Sequence, residues 1–243
     1  MRSARKLADF VVASIFVNPM QFGPAEDFSR YPRELDRDQA LLQKEKVDIL
    51  FFPEAGTMYP PGFQTRVNVE SLSQGLCGKS RPGHFEGVAT VVAKLFHIVL
   101  PHWAVFGEKD LQQLTIIKRM VKDLDWDVQI FSHPTVREPD GLAMSSRNIY
   151  LSETDRKTSA LCLWQSIELA REEVAYGHLD GLALKRKIES FIHKFPNTLI
   201  DYVEIIDADS LEPKGVIDQN TLLAMAVKVG RTRLIDNARL FVT

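Results

Sequence analysis

The 243 residues carry 45% hydrophobic and 26% charged side chains, the usage of an ordinary globular protein, which excludes disordered, collagen-like and coiled-coil chains. Lys and Arg number 30 against 32 Asp and Glu, so no global positive field exists to hold a nucleic-acid backbone and any anion site must be local. Two isolated cysteines, Cys77 and Cys162, exclude a disulfide framework or a Cys-rich zinc site and suit a reducing cytoplasm, and no apolar run approaches the roughly 18 residues that span a bilayer.

Arg2, Arg5 and Lys6 ahead of the apolar run 10–17 imitate a secretory signal, but Asp9 guards its entrance and Asn18-Pro19 closes it without a small-x-small cleavage site. A partial helix over 2–8 therefore leads straight into residues 10–17, a β-branched and aromatic run that reads as a buried central strand. Residues 33–46 turn Leu35, Leu41 and Leu42 inward, and a strand over 47–52 follows, closed by Pro53. Val88, Val91, Val92, Leu95, Phe96 and Val99 recur at helical spacing and form one apolar stripe that ends at Pro101. A strand over 103–106, a turn over 107–110, a helix with Leu111, Leu114, Ile117 and Val121 inward, and a strand over 128–131 complete the series. The alternation predicts βαβ units around a Rossmann-like, doubly wound parallel sheet over residues 1–149.

Near residue 150 the pattern changes. Ser152-Glu-Thr-Asp155 reads as a capping box that opens a long helix through Ala175. A helix over 182–193 and strands over 202–206, 222–229 and 240–242 then predict a smaller α+β domain, residues 150–243. A doubly wound domain normally opens on a strand whose following turn lines the ligand site; here the partial helix comes first, so the start looks cut away.

Open α/β sheets bind ligands beyond the carboxyl ends of their strands, and four loops there are chemically unusual. Asn18-Pro-Met-Gln-Phe22 puts two amides at a strand end, where Gln21 could hold a hydroxyl or carboxylate; read blandly, Asn-Pro only starts a turn. Ser80-Arg-Pro-Gly-His-Phe85 sets Arg81 and His84 in a rigid turn before a helix, where an anion is welcome, although His84 could equally cap that helix. Gly107-Glu-Lys-Asp110 brings Lys109 to a helix start with Gln112 and Gln113 on the first turn, a phosphate-site arrangement that is neither a Walker loop nor G-x-G-x-x-G. Met144-Ser-Ser-Arg147, after a Pro-Asp-Gly turn, supplies two hydroxyls and a guanidinium that suit phosphate oxygens; the bland reading is a polar linker between domains. The histidines show no metal-ligand spacing, which argues against a protein-bound zinc, and no G-x-S-x-G elbow marks a serine hydrolase.

Taken in order, residues 17–22 (VNPMQF), 31–33 (YPR), 81–85 (RPGHF), 106–113 (FGEKDLQQ), 140–148 (DGLAMSSRN) and 233–237 (RLIDN) closely resemble the pantoate–beta-alanine ligase family, across essentially the whole chain. The resemblance implies a two-step reaction: ATP and (R)-pantoate, with Mg2+, form pantoyl adenylate and pyrophosphate, and the amine of beta-alanine then displaces AMP. It further implies that Gln21 and Gln113 hold pantoate, with Gln21 also near beta-alanine. Gly107, Glu108, Lys109, Asp110, the backbone at Val136, Met144, Ser145, Ser146 and Arg147 would line ATP, with Lys109, Ser146 and Arg147 acting catalytically by electrostatic stabilisation. It implies a cytoplasmic homodimer, with no nucleic-acid or membrane partner, whose C-terminal domain acts as a lid that excludes water. One departure stands out: the family's Met-Gly-x-Leu-His-x-Gly-His segment, which supplies a proton-donor histidine, does not occur in residues 1–243. The expectation is that the first strand, that motif and most of a helix are missing, and a truncated homologue that only binds nucleotide or pantoate is the alternative.

Overall fold

The computed structural model describes residues 1–24 and 26–241. It is a mixed α/β fold whose contacts divide it into two compact units. The first comprises residues 1–73, 81–107 and 113–133, and the second comprises 74–80, 108–112 and 134–243.

The first unit opens with helix α1 (Arg2–Leu7) and strand β1 (Val12–Ser14). Helix α2 (Leu35–Lys44) and strand β2 (Ile49–Phe51) follow, and β2 pairs with β1 in parallel, Val12 opposite Ile49. The strand expected over 10–17 is thus shorter than its apolar run, because its strand partner among the described residues is the three-residue β2, which Pro53 follows. Val11 and Ala13 turn into the core whereas Phe10 is exposed, so the run alternates instead of being buried throughout. Arg5 and the main-chain N–H of Val11 both reach Asp48, at 2.7 Å each, and anchor α1 and the start of β1 to the approach to β2.

Helix α3 (Ala55–Met58) and, in the second unit, helix α4 (Leu76–Ser80) are short. Helix α5 (His84–Val99) begins after Gly83, which holds φ +79°, and ends at Leu100 in the left-handed region just before Pro101. Its apolar stripe is buried at Val88, Val91, Val92 and Phe96, as the spacing predicts. Phe96 packs edge-on against Phe106 of strand β3 (Trp103–Gly107). Helix α6 (Leu111–Asp123) and strand β4 (Gln129–His133) follow, with β4 parallel to β3 over five residue pairs. The parallel strands therefore form two ladders, β1–β2 and β3–β4.

In the second unit the long helix expected from Ser152 is interrupted. Helix α7 (Glu153–Lys157) starts as expected, with the Ser152 hydroxyl accepting from the N–H of Asp155, but a 3-10 turn, Ser159–Leu161, precedes helix α8 (Cys162–Ala175). The break has a tertiary and a local part: buried Ser159 donates its hydroxyl to the distant Pro196 carbonyl at 2.6 Å, and Thr158 bonds back to Thr154. Helix α9 (Gly181–Ile192) and the antiparallel sheet β5 (Thr198–Asp207), β6 (Thr221–Val229) and β7 (Thr232–Arg239) complete the unit. Leu163, Ile167, Ile188 and Ile192 from the helices share one core with Val203, Leu223, Met225 and Val227 from the sheet, and each such side chain contributes about 1.5–3 kcal/mol on full burial.

The final strand corrects the sequence expectation. It covers 232–239 rather than 240–242, of which Leu240 lies past the strand and Val242 lies outside the described residues. Gly230, at φ +56°, makes the two-residue hairpin that returns β6 into β7. Arg233, Asp236 and Asn237 disguise the alternation, because Asp236 occupies an inward position between Leu234 and Ala238.

Candidate active site

The first unit carries a 3-10 turn, Pro19–Gln21, in the loop after β1. Asn18 is 1% exposed and caps the 3-10 turn Pro19–Gln21. Its amide nitrogen donates to the Gly87 carbonyl at 3.0 Å and to Gln21 Oε1 at 3.3 Å, while its oxygen accepts from the Met20 N–H and the Tyr59 hydroxyl. All four hydrogen-bonding positions of Asn18 are therefore spent on the fold. Burial pushes the Tyr59 phenol up to about 12, so it stays protonated as a donor. Gly87 of α5 lies so close that a Cβ there would overlap the Met20 carbonyl.

What this leaves to a ligand is Gln21, whose amide nitrogen has no partner among the described residues. Its carbonyl is gripped from behind: Arg81 donates to it at 3.2 Å and His84 Nδ1 lies 2.8 Å away. Arg81 also donates to His84 Nε2 at 3.0 Å. A guanidinium can only donate, so Nε2 accepts, and Nδ1 carries the proton that goes to Gln21. Arg81 is further bound in a two-pronged ion pair with Glu26. Arg81 and His84, expected at an anion site, are thus engaged in holding the Gln21 loop. Gln113, half-buried on the first turn of α6, has no side-chain partner among the described residues.

The second unit carries the remaining candidates apart from Gly107, which belongs to the first. Gly107 ends β3, and residues 108–110 form a 3-10 turn before α6. The Asn237 amide nitrogen donates to the carbonyls of Glu108, at 3.0 Å, and Lys109, at 2.9 Å. The half-buried Lys109 ammonium and the exposed Asp110 carboxylate have no partner among the described residues. Gln112, expected beside Gln113, instead turns inward and clamps segment 74–80, accepting from the Cys77 N–H and donating to the Gly75 carbonyl.

Residues 137–143 form a tight hairpin through Gly141, at φ +94°. Arg137 fixes it by donating to the Gly141 carbonyl and making a two-pronged ion pair with Asp236, at 2.6 and 2.9 Å, while its guanidinium stacks 4.3 Å from the Trp164 ring. The Met144 N–H then bonds the Val136 carbonyl, and both side chains are exposed. Ser145 caps the next 3-10 turn, Ser146–Tyr150, by accepting from the Arg147 N–H. Asn148 ties that turn to Glu138 and the Ala143 carbonyl. Ser146 and Arg147 sit on the turn, exposed and half-buried respectively.

Sequence reasoning did not single out Arg137, Asp236 or Asn237 for a task. The signal available was a run of polar residues, Asp236-Asn237, inside a segment otherwise fit to be a strand.

Comparison with known proteins gives these residues a context. A family model described as Pantoate-beta-alanine ligase matches residues 1–239. The pantothenate synthetase of Thermotoga neapolitana is 53% identical over 237 residues, covering 98% of this chain and 84% of that protein. The Geobacter sulfurreducens pantothenate synthetase is likewise 53% identical, covering 98% of this chain and 83% of its own. Among solved structures, pantothenate synthetase from Thermus thermophilus superposes with a TM-score of 0.95 at 47% identity, covering 99% of this chain and 87% of that one. The Francisella tularensis ligase, solved with beta-gamma ATP and beta-alanine, gives 0.76 at 34% identity, covering 100% and 84% respectively. The chain belongs to the pantoate–beta-alanine ligase family, and its reaction is the joining of pantoate to beta-alanine.

Proposed function

We propose that the chain couples ATP cleavage to amide formation through pantoyl adenylate, with Lys109 as its principal cation. A pantoate carboxylate oxygen bonds to the α-phosphorus of ATP as the bond to the pyrophosphate oxygen breaks. The beta-alanine nitrogen then bonds to the acyl carbon, losing a proton as the bond to AMP breaks. Negative charge accumulates on phosphate oxygens in both steps, so the task is positioning and electrostatic stabilisation.

The observation that carries this reading is Lys109: a half-buried ammonium without a partner among the described residues, on a turn whose carbonyls are tied down by Asn237. Ser146 and Arg147 add donors of the kind phosphate oxygens take, and the backbone at Val136 and the exposed Met144 side chain would line the rest of ATP. Gln21 and Gln113 offer unspent amides to the hydroxyls and carboxylate of pantoate, and Gln21 also serves beta-alanine. Gly107, Glu108 and Ser145 complete the ATP set.

A Mg2+ would arrive on the nucleotide. Asp110, exposed and unpaired among the described residues, is the carboxylate that would hold it. Such an ion supplies charge neutralisation of the phosphates. A lid over residues 150–243, a homodimer and a cytoplasmic location belong to the same proposal. No helix among the described residues is long and apolar enough to cross a membrane.

AMP release is the test. It should require ATP, pantoate and beta-alanine together, and Lys109→Ala should lower kcat about 100-fold or more. AMP release by Lys109→Ala at the parent rate would remove Lys109 from the chemistry.

A further inference from the structure

The geometry points to Asn237 as a positioning residue for the nucleotide turn: its amide nitrogen, fixed in β7, holds the carbonyls of Glu108 and Lys109 so that the Lys109 ammonium is presented to ATP. The inference rests on the assignment of residues 107–110 to ATP made above.

A side-chain amide nitrogen has two protons, and those of Asn237 face two consecutive carbonyls, at 3.0 and 2.9 Å. Both carbonyls belong to the 3-10 turn that leads into α6. In a trans peptide the N–H points opposite to the C=O. Drawing the two carbonyls toward β7 therefore turns the N–H groups of Lys109 and Asp110 away from it, with two consecutive backbone donors oriented alike. The same bonds fix where the Lys109 side chain leaves the backbone.

The holder is itself held. Asn237 pairs with Ala224 in a regular antiparallel ladder, and its own N–H donates to Asp236 Oδ1 at 2.9 Å. Asp236 in turn is locked to Arg137. Adjacent residues of one strand thus fix two separate ATP-lining segments: Asn237 the turn 108–110, and Asp236 the hairpin 137–143 that leads to Met144. Asn237 reaches Lys109 only through main-chain atoms and bonds neither Gln21 nor Gln113, so its loss should fall mainly on ATP.

The test is steady-state kinetics of the full chain with each substrate varied in turn. Asn237→Ala removes two hydrogen bonds and should lower kcat/KM for ATP about 30-fold, while the KM for pantoate and for beta-alanine stays within about twofold. Asn237→Asp keeps the shape but sets an acceptor against two carbonyls, so it should lose at least as much; it also carries the test if the alanine variant does not fold. Lys109→Ala supplies the reference. In the double variant Asn237→Ala with Lys109→Ala, the two effects should be clearly less than additive, because the ammonium that Asn237 helps to place is gone and only the backbone donors remain to be positioned. If Lys109→Ala leaves ATP kinetics intact, the ATP assignment itself fails. The positioning inference alone is overturned if Lys109→Ala is impaired while both Asn237 variants retain parental ATP kinetics, if their losses are equal for all three substrates, or if the double variant is fully additive.

Discussion

Removing Asp236 should cost more stability than any other single side-chain truncation around the candidate ATP segments. Its carboxylate is 2% exposed and accepts two guanidinium bonds from Arg137, itself 18% exposed. Breaking a buried pair from one side typically costs about 3–5 kcal/mol, because the other charge stays buried. Two local features move the figure within that range. Arg137 keeps the Gly141 carbonyl and the Trp164 face, which lowers the cost. Against this, burial and the nearby Arg137 already depress the pKa of Arg171, while Asp236 opposes that depression, so losing the carboxylate leaves two guanidiniums without their shared counter-charge. We expect about 4 kcal/mol for Asp236→Ala, a fall in Tm of about 8–16 °C, read by urea and thermal unfolding followed by circular dichroism. Arg137→Met combined with Asp236→Leu should recover much of that loss, since no charge is then left buried. A fall in Tm below about 2 °C for Asp236→Ala, or a double variant worse than both singles, would refute the reasoning.

Gly141→Ala meets two obstacles at once, a left-handed φ of +94° and an overlap of the new Cβ with the Trp164 indole; a loss of at least about 2 kcal/mol is expected, and an unchanged melting temperature would show that the hairpin yields. Gly87→Ala improves helix propensity yet presses a methyl into the Met20 carbonyl, so the KM for pantoate should rise several-fold while the KM for ATP holds; equal KM values in parent and variant count against the loop assignment. The Val11 N–H and then Arg5 hold the Asp48 carboxyl below the ordinary carboxylate range. Its stabilising effect is therefore complete above the unfolded pKa of about 3.9 and is lost as pH falls through the lower folded value. Asp48→Asn should flatten the acid limb of the stability profile below about pH 4, and superimposable limbs would exclude Asp48 as a contributor.

Periodicity was most legible where burial is one-sided and no polar residue intrudes. The stripe of α5 and the strands 103–107 and 221–229 could be placed within a few residues from their apolar spacing. Two failures share one cause, a polar side chain with a tertiary partner that the local sequence does not reveal. Ser159 breaks the long helix because its hydroxyl finds the Pro196 carbonyl, 37 residues away. Asp236 makes β7 look like a loop until Arg137, 99 residues away, is seen to neutralise it. The same holds for the site. Lys109, Gln21 and Gln113 stand out by type and position at strand and helix ends, but so do Arg81, His84 and Gln112, and the sequence does not tell the two sets apart. Asn18, Arg81, His84, Gln112 and Asn237 contain the same chemical groups, but their hydrogen bonds are already spent, which only the three-dimensional arrangement shows.

That division of labour also explains why so many of these polar side chains are spent and so few lack a partner among the described residues. A group that must offer its hydrogen bonds to a substrate cannot use them to fix its own place, so the fixing passes to its main chain. Gln21 is held through its carbonyl by Arg81 and His84, and its amide nitrogen has no partner among the described residues. Lys109 is held through its carbonyl by Asn237, and its ammonium likewise has none there. In both cases the holder sits on an element that is independently anchored, Arg81 by Glu26 and Asn237 by the β6–β7 ladder. Preorganisation of this kind moves the ordering cost from the moment of binding to the moment of folding. A substitution in a holder should therefore leave every ligand-touching atom in place by identity and still lower kcat/KM for the one substrate that its client serves.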